Sequence, residues 1–256
     1  MSVNNIKKII DESINLGAIH FLFTGGEPLL SNKLIPLLNY VSKKGYISSI
    51  ATSGYGLNIQ KIKELKNSKI SLVELSFDSI NADIHNDFRK AKYSFENSMN
   101  SINLLKKVKV PTILNYVIRK DNLYELNDLM KLSKKLEIGV NLGFSSAVGK
   151  WKNNKNILLN DKEYESTKKY LKNKRVRWCG ESSYLKKGCT AGLEKIYVSP
   201  YGDVSPCPLI PKIFGNIKDK NLKDITMKIR KNYFFNRIHR RCLPSYNKEF
   251  LLELDQ

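Results

Sequence analysis

The chain has 256 residues, with 44 Lys and Arg against 24 Asp and Glu for a formal net charge of +20. At 41% hydrophobic residues and a mean hydropathy of −0.37 it has the composition of one large or two small folded domains, which excludes a disordered chain. No apolar run approaches the ~20 residues of a membrane helix. Met1 leads into a lysine-bearing amphipathic segment rather than a secretory signal, and four cysteines do not make a disulfide scaffold, so a cytoplasmic protein with no membrane partner is expected.

Along the chain, helix and strand patterns alternate. Ile6, Ile9, Ile10 and Ile14 share a helical face, with Gly17 as its stop. Residues 19–23 read as a buried strand. Ser31 is placed to cap a helix carrying Leu34, Leu37, Leu38 and Val41, which Gly45 ends. Residues 47–51 are the next strand, followed by a helix marked by Ile59, Ile62 and Leu65. A strand over 70–75 leads to a helix with Phe95, Met99, Ile102 and Leu105. A strand over 112–118 leads to a helix with Leu126, Leu129 and Met130, capped by Asn122. Residues 138–144 are a fifth strand. This alternation implies parallel strands with right-handed crossovers. Five strands cannot close an eight-stranded barrel, so a partial barrel or an open sheet is expected. The polar stretch 150–156 reads as a linker, with a helix near 162–172 after it. Beyond residue 175 the pattern changes to a hairpin over 196–206 and a helix near 222–234, and all four cysteines fall here. The expected division is 1–150, a linker and helix over 151–174, and a second part over 175–256. Trp151 and Trp178 flank the linker and are expected to pack the two parts together.

The positive charge invites a nucleic acid. Its lysines, however, are scattered over nearly every helix face rather than gathered in a stripe, and nucleic acid is disfavoured as a partner.

Ligands of parallel α/β folds gather at the carboxyl ends of the strands. Three such ends carry small, polar or acidic groups: Thr24-Gly25-Gly26-Glu27-Pro28, Thr52-Ser53-Gly54 and Ser76-Phe77-Asp78. Paired glycines admit close backbone approach, and carboxylates accept bonds from an ammonium group or a ribose. Each feature also has a plain structural reading: a tight turn, a loop bond, or for Asp78 a helix cap. Asn115 opposes Leu114 on its strand, and His20 is read as structural.

Together these segments resemble the radical S-adenosylmethionine (SAM) enzymes. Residues 23–30, Phe-Thr-Gly-Gly-Glu-Pro-Leu-Leu, resemble that family's GGEP segment, which binds the amino group of SAM. Thr52-Ser53-Gly54 resembles its T-N-G segment with Ser53 in place of Asn. Ser76-Phe77-Asp78 resembles its S-L-D segment, and His85-Asn86-Asp87-Phe88-Arg89 the H-D-x-x-R that follows. The resemblance implies that Gly25, Gly26, Glu27, Pro28, Ser53, Ser76 and Asp78 hold SAM. Gly149-Lys150 weakly resembles a late segment near the adenine. The family's CxxxCxxC loop, which ligates the SAM-cleaving [4Fe–4S] cluster, would fall upstream of residue 1, and no cysteine precedes Cys179. That cluster is therefore expected only if ligands exist upstream. Truncation or a missing start is favoured over lost chemistry, because the SAM-rim residues are intact. The family's first strand would be absent with the loop, leaving an unpaired sheet edge.

Cys179, Cys189, Cys207 and Cys242 are the remaining metal candidates. Thiolates suit iron–sulfur clusters, whereas zinc's usual C-x-x-C pairs are missing. Cys189, the twelve residues that follow, Gly202 and then Cys207 resemble the SPASM/Twitch extension of radical SAM enzymes. Its crowded C-x2-C-x5-C-x3-C block is absent, so the Twitch form with one auxiliary [4Fe–4S] cluster is the better match. That resemblance implies Cys189, Cys207 and Cys242 as ligands, with Cys179 as the fourth or a bystander thiol. His239, near Cys242, is read as lying on a helix face, with ligation as the alternative, and Arg240 and Arg241 either tune the cluster by their charge or are solvated.

The expected fold is thus α/β: a partial TIM-like (β/α) barrel lacking its first strand, followed by a small α+β Twitch-like cluster domain. The implied protein is a radical SAM enzyme modifying a peptide, a protein or a cofactor or tetrapyrrole precursor, with a reductase or a flavodoxin- or ferredoxin-type electron donor. One rival is a non-catalytic iron–sulfur scaffold, electron carrier or partner subunit. The other is a basic zinc-containing nucleic-acid binder, whose affinity would fall steeply with salt.

Overall fold

The computed structural model describes residues 1–178 and 188–255. Helix α1 (Val3–Asn15) starts on Ser2, whose side chain accepts from Asn5 N–H. It leads into β1 (His20–Phe23), α2 (Leu34–Lys43), β2 (Ile47–Thr52), α3 (Ile59–Asn67) and β3 (Leu72–Ser76). Two helices follow, α4 (Ala82–Arg89) and α5 (Ser94–Lys107), then β4 (Thr112–Ile118), α6 (Leu126–Leu136), β5 (Gly139–Phe144), α7 (Asp161–Leu171) and β6 (Val176–Trp178).

The six strands form one parallel sheet in the order β1-β2-β3-β4-β5-β6. The sheet has one strand more than the sequence pattern predicts. Strand β6 is three residues long, preceded by Lys174 and Arg175 and interrupted by Arg177, so no apolar run marks it; pairing with β5 makes it a strand. The division expected at residue 175 therefore falls just ahead of a barrel strand.

Alternate residues of each strand face the helices. Val73, Leu75, Leu114, Tyr116, Ile118, Val140 and Leu142 are buried there among Ile62, Leu65, Ile102 and Leu129. The opposite residues line the lumen of a curled half-barrel.

Several local expectations change in three dimensions. Asn122 does not cap α6: its side chain accepts from Arg119 N–H and donates to Val117 O, closing a 3-10 turn (Lys120–Glu125) ahead of the helix. Ser31 bonds Lys33 N–H but does not cap α2. Asn81, not Asp78, caps α4. Trp178 packs edge-on to Phe144 in a core that also takes in Cys242 of the second part, while Trp151 lies against Phe88 of α4.

The second part has a small antiparallel sheet of β7 (Tyr197–Val198), β8 (Asp203–Ser205) and β9 (Gly215–Asn216), then α8 (Leu222–Lys231) and α9 (Lys248–Asp255). Its core joins Val204, Ile225, Ile229, Phe235 and Phe250. This part spans both edges of the half-barrel. At the β1 side, Ile9 of α1 and its C-cap Leu16 pack against its core, and Glu12 accepts from Leu222 N–H at the start of α8. At the β5–β6 side, Cys242 packs in the barrel core and Arg241 binds Asp161 of α7. Among the described residues, no helix is long and apolar enough to cross a membrane.

Candidate SAM rim and cysteine domain

The rim is built where β1, β2 and β3 end. After β1 the chain turns through Gly25 (φ +87°) and Gly26 (φ +52°), and a Cβ on Gly26 would meet nothing within 4 Å. The turn thus presents exposed backbone to open space. Glu27 holds it in place. Its Oε1 accepts from Thr52 Oγ1 (2.5 Å) and Leu29 N–H (3.2 Å); its Oε2 accepts from Ser53 N–H (2.9 Å) and Ser53 Oγ (2.6 Å). A carboxylate has about four acceptor sites, and here all four are used inside the protein. Glu27 therefore clamps the β1 turn to the end of β2, and Ser53 serves the clamp. Pro28 is buried and opens a 3-10 turn.

Ser76, the last residue of β3, lies on the lumen side. It opens a polar row that the register carries across the sheet, from Ser76 to Asn115 to Asn141 to Arg177. Asn141 donates to Asn115 Oδ1 (3.1 Å), while Asn141 Oδ1 is buried without a partner. Asp78 sits apart from this row. It is 6% exposed and is ion-paired to Arg89 Nε, so the S-x-D and H-x-x-x-R segments bind each other. His85 is fully buried against Phe77 and Phe95, and its Nδ1 accepts from Asp78 N–H. Burial holds its imidazole below the ordinary histidine value, a structural setting rather than an exposed acid–base one.

Sequence reasoning missed an ion pair deeper in the lumen. Glu74 of β3 is 3% exposed, and Arg177 of β6 donates to its Oε1 at 2.5 Å. The pair spans β4 and β5, where Ile113 and Gly139 share the register row of Glu74. A glutamate amid the apolar run Leu72-Val73-Glu74-Leu75 was the available signal. Burial raises the Glu74 carboxyl above its usual range, against the pull of Arg177 and the nearby Lys195. A raised carboxyl favours folding below its unfolded value, and that contribution is lost as pH rises through the folded value. Arg177→Met removes the opposing cation and raises Glu74 further. The expected urea-midpoint deficit is about 1–2 kcal/mol near neutral pH, discounted for the half-exposed arginine, and smaller near pH ~5. An equal deficit at both pH values would refute this role.

Cys189, Cys207 and Cys242 are thiols, not half-cystines; Cys179 lies outside the described residues. Cys189 forms an antiparallel bridge with His239, giving N–H to His239 O (2.7 Å) and receiving the return bond at 3.2 Å. This joins the Cys189 segment to the one bearing Cys242. His239 is on no helix, and its Nε2 bonds Phe234 O. Cys242 Sγ is 4.0 Å from Ser146 Oγ at the end of β5. Arg241 is not free in solvent: it pairs with Asp161 and stacks over Tyr164 at 3.9 Å. Among the described residues, no three His, Cys, Asp or Glu side chains converge as a metal site requires. Gly188 makes the bridge possible. Its φ is +116°, and a Cβ there would stand 2.1 Å from His239 O. Gly188→Ala is expected to cost about 3 kcal/mol or more and to separate the two segments. A thermal midpoint within about 1 °C of wild type would refute the close approach.

The family model for the radical SAM superfamily matches residues 1–133, and that for the SPASM iron–sulfur cluster-binding domain matches residues 189–244. The chain belongs to the radical SAM superfamily. It is 25% identical over 254 residues to an AdoMet-dependent heme synthase of Methanosarcina barkeri, covering 88% of this chain and 73% of that one. It is 26% identical over 229 residues to the subtilosin biosynthesis protein AlbA of Bacillus subtilis, covering 85% of this chain and 51% of AlbA. In fold, it superposes on Streptococcus suis SuiB, solved with its precursor peptide SuiA, with a TM-score of 0.71 at 14% identity. That match covers 92% of this chain and 59% of SuiB. The native anSMEcpe structure with bound AdoMet gives 0.65 at 23% identity, covering 92% and 72%. The chain thus spans little more than half of AlbA and of SuiB. The radical SAM half-barrel and the SPASM match account for SAM and iron–sulfur as its cofactors.

The rim residues fit SAM. They offer an unobstructed glycine turn, a lumen row with one hydroxyl and two amides, and one buried acceptor, Asn141 Oδ1, awaiting a donor. The donor chemistry of the second part fits an iron–sulfur cluster, with three thiols in the matched domain.

Proposed function

We propose that this protein is a radical SAM enzyme in which Gly25, Gly26, Ser76, Asn115 and Asn141 contact SAM, while Glu27, Ser53 and the Asp78–Arg89 pair hold the rim in shape. When bound with its cluster, SAM would supply radical chemistry for hydrogen-atom abstraction from the substrate. The protein's part is to orient and enclose. Cys189, Cys207 and Cys242, with Cys179 as a candidate fourth ligand, would hold an auxiliary cluster. The substrate is a peptide or a tetrapyrrole-type precursor, the two kinds that the names of the relatives suggest. A net charge of +20 suits an acidic flavodoxin- or ferredoxin-type electron donor.

The single observation that carries this reading is the open glycine turn, clamped by Glu27 over a polar lumen and faced by a cysteine-bearing domain. The test is 5′-deoxyadenosine release by the natural gene product, reconstituted with iron and sulfide and reduced without oxygen, after its intact mass is measured. Release is expected from a product that includes the upstream cysteine loop. A reconstituted product that holds a cluster but releases none would favour the scaffold or electron-carrier reading.

A further inference from the structure

We propose that the outer face of α8 and the segment after it form a docking surface for a small acidic one-electron carrier protein; the inference rests on the reading of the second part as a cluster-holding domain and adds where an electron crosses into it. Residues 221–241 carry a single acid, Asp224, amid lysines and arginines. Asp224 stands in the first turn of α8, where it accepts from Asn221 Nδ2 at 2.8 Å.

The cations gather at the other end. Leu222, Ile225 and Ile229 take the buried side of α8, which leaves Lys228 and Lys231, three residues apart, on its solvent side. Arg237 lies over the Tyr233 ring at 4.0 Å, and Arg230 donates to Leu193 O. Among the described residues, no acid pairs with Lys228, Lys231 or Arg237. Two large apolar side chains stand exposed among them, Met227 at 46% and Tyr233 at 55%. The helix dipole accounts for lysines in the last turn, but not for Arg237 beyond it or for the exposed apolar pair. Lysines alone would suit a phosphate backbone. Methionine, tyrosine and arginine ringed by further cations have the make-up of a protein interface.

The inner side of the same helix meets the cysteine segment. A Cβ on Gly192 would stand 2.7 Å from Ile229 Cγ2 and 2.8 Å from Phe235 Cβ, so the loop after Cys189 lies directly on the last turn of α8. Cys189 shares a core with Ile229 and Phe235, and its backbone bridge to His239 ties it to the segment that bears Arg237. The protein between the cationic face and the cysteine segment is thus one helix thick, about 10–12 Å. Across it the carrier is oxidised by one electron and the thiolate-held cluster is reduced by one, with no bond made or broken. An acidic carrier complements the charge. Electron-transfer encounters bury less than about 1,200 Å² in total, so a patch of this extent suffices.

The test is fluorescence anisotropy of a labelled, acidic plant-type [2Fe–2S] ferredoxin titrated with the whole chain, without SAM or reductant. Binding that weakens as salt rises is expected. Lys228→Glu with Lys231→Glu is expected to weaken it about tenfold or more, and Arg237→Glu to do likewise. Tyr233→Ser, which alters no charge, is expected to cost about fivefold. Lys63→Glu with Lys66→Glu on α3 makes the same change in net charge as the α8 pair and is expected to matter less than about twofold. Lys231→Glu alone keeps the test valid if a double variant unfolds.

Four results would overturn the surface: no binding of the ferredoxin, equal loss in the α3 variant, equal binding of a basic cytochrome c, or tighter binding of a DNA duplex through the same residues. Iron content after reconstitution is measured on the same samples. Patch-dependent binding by protein that takes up no iron refutes the cluster reading alone. Full iron uptake with binding indifferent to the α8 variants refutes the surface alone.

Discussion

Anaerobic reconstitution of Cys189→Ala, Cys207→Ala or Cys242→Ala protein is expected to lose most of the iron, sulfide and brown visible absorbance that the unaltered chain takes up. Each substitution removes one soft donor from a set of three described thiols, and iron–sulfur clusters are commonly held by four thiolates. A three-donor remnant can hold a cluster only with an exogenous ligand, so partial, labile loading is the largest signal expected from any single variant. Cys179→Ala is expected to have an equal effect if it is the fourth ligand and none if it is a bystander. Ser146→Ala, which removes the hydroxyl beside Cys242 Sγ, is expected to keep the iron content and to alter only the reduction potential. Zinc in place of iron, or full iron loading in all three alanine variants, would overturn the assignment of these cysteines. Zinc with salt-sensitive DNA affinity would return the nucleic-acid reading to the front.

Glu27→Ala is expected to weaken SAM binding by about tenfold or more and to lower stability by about 2–3 kcal/mol, some 5–10 °C in melting temperature. The substitution leaves four donors without their acceptor, and two of these, Leu29 N–H and Ser53 N–H, are backbone groups that cannot turn away. The Thr52 and Ser53 hydroxyls can rotate toward water, so the cost stays below the sum of four bonds. Glu27→Gln keeps one acceptor oxygen but sets an amide NH2 against donors, and an intermediate loss is expected. Equilibrium dialysis with labelled SAM and urea titration check both. A variant with unchanged stability and reduced SAM binding would mean that Glu27 touches the ligand directly, contrary to the clamp.

Much of the rim was legible in advance. The helix–strand period put Thr24, Ser53 and Ser76 at strand ends, because a parallel sheet with right-handed crossovers leaves those ends on one side. The resemblance of these segments to those of radical SAM enzymes then implied SAM. What each residue does there was not legible. Glu27 and Asp78 look alike in sequence as free carboxylates at a ligand rim, yet one is filled by four internal donors and the other is ion-paired to Arg89. Hydrogen-bond partners 25 or 26 residues away, as Thr52 and Ser53 are from Glu27, leave no local trace.

By itself, then, the sequence determined the helix–strand alternation, the residues that stand at the strand ends and the cysteine-bearing second part, because hydrophobic period, strand-end glycines and cysteine spacing are local properties of the chain; the resemblance to radical SAM enzymes chose the partial barrel over an open sheet. Only the tertiary structure decided three further matters. It added β6, whose three residues become a strand through pairing with β5. It brought Glu74 and Arg177, 103 residues apart, into one lumen, since the parallel order of the strands sets β6 on the curled sheet that carries β3. It also placed α9 beside the loop after β5 to form a lysine-lined cavity. Each of these rests on contacts between segments far apart in the chain, whose meeting depends on how sheets curl and domains pack.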